Sequence, residues 1–407
     1  MKKIIKRIIL GFLCLLLVLV IGVCVFVGVT WGSEISTVMS IKLLNEENKA
    51  QKAAPVYEMN VSGGYYFDKF IKQGGASSDQ ELIDFIVGNL TKGIVPITLN
   101  APTIGCSSFT AIDENGHRLF GRNYDFSTTT AMLVKTNPGG GRYKSISSVD
   151  LQFLGISDGV YLNSFMQKII CLAAPYVPLD GINECGVACG IYMTYQGDEN
   201  GVYPTNQDTD RPDITSTTLL RMILDYADSV DKAVELASSY DLHDSASTSF
   251  HYMVADSTGK SAILEWVNGT SDTDGDGTLR NLNVIYNDSD SALGEMEEKD
   301  NFQYVTNFIL TPGYFSSNEG KYGLDRYNKI REMTNPTNEN VMGNTTYQNA
   351  LDVLKMVGRR NWDLVNGVTD GNGITVWSAL YDLTNKTLTW VSNEQFDNEK
   401  AIFTYSL

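Results

Sequence analysis

An uninterrupted apolar segment near the N-terminus constrains this chain more than any other feature. Ile8 to Trp31 contains 24 consecutive apolar or small residues, whereas a membrane-spanning helix needs about 20. Four basic residues precede it: Lys2, Lys3, Lys6 and Arg7. The positive-inside rule then keeps the N-terminus in the cytoplasm. Because no small-residue cleavage site closes the segment, we predict that residues 1–32 are an uncleaved single-pass anchor and that the rest lies outside the cytoplasm. A cleaved signal peptide is the alternative.

The remainder of the chain is acidic and rich enough in apolar residues to build a core. It carries 27 basic and 48 acidic residues, for a formal net charge of −21. Such a surface repels phosphate backbones, so nucleic-acid binding is not expected. The hydrophobic fraction of the whole chain is 43%, which excludes a mostly disordered protein.

Cysteines are sparse outside the apolar segment. Cys106, Cys171, Cys185 and Cys189 are too few for a disulfide scaffold. Cys185-x3-Cys189 has the spacing of half a metal site, but no histidine or second cysteine pair lies nearby in sequence. Two core thiols on or beside a strand explain this pair more simply.

The order of local patterns predicts an α+β fold. We expect residues 33–105 to be a stalk and a pro-segment or small subunit, with a helix that begins at Ser78 and is capped through Glu81. Helical spacing also covers 215–238. Short strand patterns occupy 106–112, 118–124, 250–255, 261–267 and 282–287. Without regular βαβ alternation, these elements favour a layered α+β sandwich in 106–407.

The segment from Gly105 to Phe126 holds the residues that suggest chemistry. Asn115-Gly116 predicts a two-residue hairpin turn, which would place Cys106 directly opposite Asp125. Arg122 is an odd number of positions from Asp125, so a bulge near Gly121 would be needed for both to reach the cysteine. An ordinary hairpin with a buried cysteine is the alternative.

This segment resembles the cysteine-type N-terminal-nucleophile amidases, the choloylglycine hydrolase and penicillin V acylase group with its acyltransferase and ceramidase-like relatives. Arg122 and Asp125 follow Cys106 by 16 and 19 positions, in the run Phe-Gly-Arg-Asn-Tyr-Asp. Three later segments are similar to this family in the same order: Asp180-Gly181-Ile182-Asn183-Glu184, Thr306-Asn307 and Asp325-Arg326-Tyr327. The resemblance implies a four-layer αββα sandwich, the Ntn-hydrolase fold, behind the N-terminal helix.

The resemblance also implies a mechanism without a cofactor. Cys106 would be the nucleophile, made N-terminal by self-cleavage at Gly105-Cys106, and its α-amine, with a reference pKa of about 8, would accept the thiol proton. Asp125 would hold this amine, and Arg122 would favour the thiolate. Asn307 and a backbone N–H near Met193 would donate to the oxyanion.

Further site candidates follow from the same resemblance. Arg326 joins the catalytic set, and the candidate substrate contacts are Tyr192, Met193 and Asn206. Asn206 belongs to a second Thr-Asn pair and is a turn residue, a substrate-loop residue or a rival of Asn307 as oxyanion donor. Residues 191–193 lack the asparagine of bile-salt hydrolases, which argues against a bile-acid substrate. N-acyl amino acids, phenoxyacyl β-lactams, lipid amides and conjugated bile acids all stay open as small-molecule amide substrates, and so does oligomerisation.

Three other interpretations compete with this one. Gly155-Ile156-Ser157-Asp158-Gly159 matches the G-x-S-x-G elbow of serine hydrolases, which would need His117, His243 or His251. Asp272–Asp276 resembles the start of a calcium loop, but position 12 is Asn283, and a polar hairpin tip is simpler. A catalytically retired, membrane-anchored binding protein is the third.

Overall fold

The computed structural model describes residues 2–49, 53–93, 105–156, 159–195, 202–268, 277–287, 302–311, 314, 321–334, 345–360 and 373–407. Helix α1 spans Lys2–Met39 and therefore continues two turns beyond Trp31. Its part Phe12–Met39 is long and apolar enough to cross a membrane. An ion pair of 3.0 Å between Lys92 Nζ and Glu34 connects the C-terminal part of α1 to the domain.

The segment between α1 and Cys106 contributes strands and helices to the domain. These are β1 (Lys42–Asn45), β2 (Val56–Val61), α2 (Phe67–Lys72) and α3 (Asp79–Ile86), the last continued by a π-helical turn at Val87–Thr91. The helix predicted after Ser78 is confirmed, since Ser78 Oγ accepts a hydrogen bond of 3.3 Å from Glu81 N. The division of the chain at residues 32 and 105 stays a prediction.

The larger sheet has nine strands within the residues that the structure describes. Besides β1 and β2 they are β5 (Ala131–Thr136), β6 (Ser145–Asp150), β7 (Asp180–Asn183), β8 (Ala188–Met193), β11 (Phe250–Ala255), β12 (Ser261–Asn268) and β13 (Arg280–Tyr286). Their order is β1-β2-β5-β6-β7-β8-β11-β12-β13. Among the described neighbours in this sheet, β2 and β5 run parallel and the other pairs run antiparallel. Because β1 and β2 stand at one end of the strand order, the segment before Cys106 forms one edge of the sheet.

In the described part of the chain, the smaller sheet has six antiparallel strands. They are β3 (Gly105–Ile112), β4 (Arg118–Phe126), β14 (Tyr304–Val305), β15 (Ile374–Asp382), β16 (Thr387–Ser392) and β17 (Ile402–Ser406). Their order is β14-β3-β4-β15-β16-β17. A separate parallel pair consists of β9 (Asp213–Thr215) and β10 (Asp241–His243).

Helices cover the outer face of each sheet. The helices α5 (Ser216–Tyr226) and α6 (Val230–Ser238) pack on the larger sheet, and α7 (Leu324–Thr334) and α8 (Tyr347–Met356) pack on the smaller one. The short helix α4 (Phe165–Ile170) leads into a 3₁₀ segment that packs against α1. The region predicted as one helix, 215–238, is divided because Ala227 has an extended backbone.

The two sheets pack face to face. Trp390 Nε1 donates to Ser148 Oγ at 3.2 Å, and Trp377 Nε1 donates to Asp180 Oδ2 at 2.8 Å, both between the sheets. Gly181 points to the opposite face, where an added Cβ would lie 3.0 Å from Leu224 of α5. The order helix, sheet, sheet, helix confirms the predicted αββα sandwich.

Candidate active site

Cys106 is the second residue of β3 and lies on the face that is turned towards the larger sheet. It pairs with Tyr124 across the hairpin, and only 1% of it is exposed. Ser108 lies two positions on and therefore shares this face. Its hydroxyl accepts a hydrogen bond of 2.6 Å from Tyr192 Oη of β8. The thiol is thus enclosed between the two sheets.

The predicted pairing of Cys106 with Asp125 is wrong by one residue, since Gly105 pairs with Asp125 instead. The turn is longer than expected: Asp113 N donates to His117 O at 3.0 Å. A type I′ turn requires positive φ at both central residues. In the predicted Asn115-Gly116 turn only Gly116 has it, at 81°.

The corrected register also changes which face each residue occupies. Arg122 pairs with Ser108, so it lies on the same face as Cys106, whereas Asp125 lies on the face covered by α7 and α8. The expected bulge near Gly121 is absent from the described pairing of β4 with β3. Arg122 therefore approaches the thiol, and Asp125 approaches the main chain where β3 begins.

Arg122 is held in a fully buried position by the larger sheet. Its Nη2 donates to Ile191 O at 2.7 Å, and its Nε lies 3.4 Å from Asp180 Oδ2. The guanidinium lies over the Tyr192 ring, 4.2 Å from the ring centroid. Within the described part of the chain Nη1 has no hydrogen-bond partner. These contacts fix a positive charge next to the nucleophile candidate.

A second group of side chains surrounds the main-chain nitrogen of Cys106. This N–H donates to Asn307 Oδ1 at 3.0 Å. Arg326 Nη2 donates to the same oxygen at 3.1 Å, and Arg326 Nη1 is ion-paired with Asp125 Oδ2. Thr375 Oγ1 donates to the other oxygen of Asp125 at 2.7 Å. Asn307, and not Asp125, is thus the direct acceptor for the Cys106 nitrogen in the intact chain.

Asn307 also acts as a donor. Its Nδ2 donates to Met193 O at 2.8 Å, which links the end of β8 to the Thr306-Asn307 segment. His251 Nε2 lies 3.0 Å from Thr306 O, and His251 Nδ1 lies 2.9 Å from Glu265 Oε1. His251 is therefore a packed cross-strand residue, opposite Glu265 of β12, and it holds the segment that presents Asn307.

Burial dominates the ionisation of Cys106. Removal from water raises the pKa of its thiol to about 11, and the positive charges of Arg122 and Arg326 oppose this rise, whereas Asp125 adds to it. In the intact chain the thiol is therefore protonated at neutral pH. A thiolate nucleophile would need a proton acceptor beside it.

The candidate substrate residues fall into two places. Tyr192 and Met193 adjoin the Cys106 cluster through Arg122 and Asn307, as described. Asn206 is exposed, and its side-chain oxygen Oδ1 lies 2.8 Å from His243 Nδ1, while its N–H donates to Gly277 O at 3.1 Å. The described contacts of Asn206 thus lie outside the Cys106 cluster.

Sequence reasoning missed two members of the site. Asp180 is the buried counter-ion of Arg122 and also accepts a hydrogen bond of 2.6 Å from Tyr381 Oη. Its position in the Asp180-Gly181 motif was a usable signal. Thr375, which donates a hydrogen bond to Asp125, gave no signal in the sequence, because it lies 250 positions further along the chain in β15.

The competing sites receive little support from the described residues. Ser157 and Asp272–Asp276 lie outside them. His243 is 8% exposed in β10, with Asp213 Oδ1 2.9 Å from its Nε2, so it lies in a strand and not in a solvated loop. No group of three or more metal-ligating side chains occurs within the described ranges.

Comparison with known proteins identifies one family. Residues 106–272 match the model of the linear amide C-N hydrolases, choloylglycine hydrolase family. No curated protein matches the sequence. The resemblance stated from the sequence is thus confirmed over this segment, together with the class of hydrolase acting on linear amides.

Three solved structures are similar to the chain. Penicillin V acylase from Agrobacterium tumefaciens is 16% identical over 70% of this chain and 83% of that one, with a TM-score of 0.41. A variant of the conjugated bile acid hydrolase from Clostridium perfringens is 15% identical over 74% and 92%, with a TM-score of 0.44. A Caenorhabditis elegans N-acylethanolamine-hydrolyzing acid amidase ortholog is 15% identical over 69% and 93%, with a TM-score of 0.37.

Proposed function

Because residues 106–272 carry the linear amide C-N hydrolase domain of the choloylglycine hydrolase family, we propose that the protein is a membrane-tethered hydrolase that acts outside the cytoplasm. Cys106 is the nucleophile after self-cleavage of the Gly105-Cys106 bond. The observation that carries the proposal is the hydrogen bond of 3.0 Å from Cys106 N to Asn307 Oδ1, within a cluster that also contains Arg326 and Asp125. The nitrogen that would become the α-amine already has its acceptor.

Maturation begins with the thiol of Cys106. Its sulfur attacks the Gly105 carbonyl carbon, the C–N bond breaks, and the thiol proton passes to the departing nitrogen, which leaves a thioester and a free α-amine. Water then hydrolyses the thioester to the Gly105 carboxylate and the thiol. Gly105 offers room for this step because no side chain separates its carbonyl from Asp125, whose Oδ2 would lie 3.4 Å from an added Cβ.

Substrate hydrolysis uses the same sulfur. The α-amine takes the thiol proton, the thiolate attacks the substrate carbonyl, and the amine returns the proton to the leaving nitrogen as the C–N bond breaks. Arg122 favours the thiolate, and Arg326 with Asp125 keeps Asn307 in place. The Asn307 amide donates to the developing oxyanion after it leaves Met193 O, together with a backbone N–H near Met193. Water finally releases the acyl group.

The substrate is a small linear amide. Phenoxyacyl β-lactams, conjugated bile acids, N-acyl amino acids and lipid amides such as N-acylethanolamines are the classes to assay. The tether is the part of α1 that can cross a membrane, Phe12–Met39. With Lys2, Lys3, Lys6 and Arg7 before it, the catalytic domain faces outwards.

The test compares Cys106 variants of the full chain by intact mass and by hydrolysis of these four amide classes. Cys106→Ala should remain uncut and inactive, and Cys106→Ser should cut slowly and hydrolyse amides poorly, since an alcohol ionises less readily than a thiol. Cys185→Ala, which removes a half-buried thiol in the β7–β8 turn, should retain both reactions.

Two outcomes would contradict the proposal. Amidase activity in Cys106→Ala, or its loss in Ser157→Ala with cleavage unchanged, would favour the serine nucleophile. A wild-type chain that stays uncut, with an inert Cys106 thiol and no hydrolysis of any amide class, would favour the retired binding protein.

A further inference from the structure

An apolar cavity lies where α1 meets the domain. Its volume is about 450 Å³, and its walls are almost wholly apolar. One wall comes from Val27, Trp31 and Ile35 of α1, and the other from Phe165, Ile169 and Leu172 of α4 and the 3₁₀ segment that follows. Cavities of about 300–1,000 Å³ are of the size that holds small organic ligands.

The same face exposes large apolar side chains. Phe165 is 69% exposed and Met166 is 46% exposed, although Ile169 of the same helix is buried. The orientation is fixed by a capping box, in which Ser164 Oγ accepts from Gln167 N at 3.1 Å. Large apolar side chains that are exposed beside an apolar cavity are typical of a binding surface.

The position along α1 sets the depth of this cavity in a bilayer. About 20 helical residues cross a hydrocarbon core of about 30 Å. Counted from Ile8, which follows the last basic residue, the crossing ends near Val27, the innermost lining residue of the cavity. Trp31 lies about 6 Å further along the helix, at the interface where tryptophan is enriched. The cavity therefore opens at the outer boundary of the hydrocarbon core, where the acyl chains of outer-leaflet lipids join their headgroups, and extends outwards from there.

Contacts between the outer end of α1 and the domain hold the cavity at this depth in the membrane. Lys92 Nζ is ion-paired with Glu34 at 3.0 Å and lies 4.5 Å above the centroid of the Trp31 ring. Ser62 N also donates to Thr37 Oγ1 at 2.9 Å. The domain and the membrane helix thus hold the cavity walls in one arrangement.

We propose that this cavity binds an acyl chain of an outer-leaflet lipid and that α4 inserts Phe165 and Met166 into the bilayer beside it. The inference rests on the membrane tether of the proposed function, but not on the amidase chemistry. The domain would then rest on the membrane in one orientation instead of turning freely above it.

The experiment uses the full chain in phosphatidylcholine vesicles that contain a phosphatidylcholine with a photoreactive acyl terminus. After irradiation, mass spectrometry maps lipid adducts along the chain. Adducts are expected on 165–172 and 31–39, and also on 12–25, which serves as an internal control for insertion of α1. Phe165→Ser with Met166→Ser should lower the adducts on 165–172 at least about fivefold, and Leu172→Trp should lower those on 31–39 by filling the cavity. Leu279→Ser removes a side chain that is 53% exposed elsewhere and should change neither.

Each other outcome decides against a part of the proposal. Adducts on 12–25 without adducts on 165–172 would overturn the acyl site and leave the tether intact. No adducts on either segment would overturn the tether and the acyl site together. A chain that is dimeric in the vesicles and takes up no lipid adducts on 165–172 would assign this face to a second copy of the chain. None of these outcomes depends on amide hydrolysis, which is measured separately through Cys106.

Discussion

Asn307→Asp separates two roles of one side chain. In the intact protein Oδ1 accepts hydrogen bonds from Cys106 N and Arg326 Nη2, and Nδ2 donates to Met193 O. Aspartate has the same shape and keeps the acceptor, but it replaces the donor with an oxygen that faces a carbonyl oxygen. The substitution therefore removes the proposed oxyanion donor while it preserves the contact with the Cys106 nitrogen.

The expected magnitude follows from these contacts. Loss of the hydrogen bond to Met193 O, with an oxygen left facing it, should lower the free energy of unfolding by about 1–3 kcal/mol. Loss of one oxyanion donor should lower kcat by about 100- to 1,000-fold. The added carboxylate also favours the protonated α-amine of Cys106, which raises the pKa of that amine. The acid limb of the kcat profile should consequently shift to higher pH.

The assay measures kcat and KM against pH, together with intact mass, alkylation of Cys106 and thermal unfolding. The matched comparison is Asn206→Asp in the other Thr-Asn pair, which is exposed and bound to His243 and should cost far less activity. A kcat of Asn307→Asp within about threefold of wild type would refute the donor role. A larger loss in Asn206→Asp would show that the oxyanion donor belongs to the other pair.

Three further predictions concern cleavage, the thiol and topology. Gly105→Val should slow self-cleavage, because even a Cβ would lie 3.3 Å from Asp125 Cβ; an unchanged cut fraction by intact mass would contradict this. Arg122→Gln should raise the pKa of the Cys106 thiol further and slow its alkylation at pH 8 at least about tenfold. Arg122→Lys should restore part of the alkylation rate. An alkylation rate equal to wild type in Arg122→Gln would show that the guanidinium does not favour the thiolate. Protease added to intact cells should digest residues 33–407, and full protection would reverse the proposed topology.

Local features of the sequence were sufficient for the elements and the layers. A short, mainly apolar run defines β11 at Phe250–Ala255, and serine followed by glutamate three positions on defines the start of α3. These patterns depend only on residues within a few positions of one another, so the packing of the whole chain alters the predicted elements little. The spacing of Cys106, Arg122 and Asp125 likewise belongs to a single hairpin.

The strand register of the β3–β4 hairpin and the distant partners of the site residues could not be predicted from such local features. One additional residue in the turn shifts every pair from Cys106 onward, and Asn115-Gly116 fits both a two-residue loop and a longer loop with a glycine bulge. Arg326 meets Asp125 from 201 positions away, and the α7 and β15 residues that surround this carboxylate are placed only by the packed layers. Contacts between residues so far apart in the chain produce no pattern in the local sequence, so they could not be predicted from it.

The segment before Cys106 determines what cleavage would do to the tether. β2 pairs with β5 over six residues, Val56–Val61. Tyr65 Oη donates at 2.6 Å to Asp225, a buried carboxylate that Arg142 Nη1 also contacts at 3.0 Å. A cut at Gly105-Cys106 breaks one peptide bond and none of these contacts, whereas separation of the fragments would expose the edge of β5 and leave Asp225 without its tyrosine. Loss of such a buried hydrogen bond costs about 1–3 kcal/mol by itself. After the proposed cleavage, α1 would therefore stay attached to the catalytic part through the sheet instead of through a peptide bond.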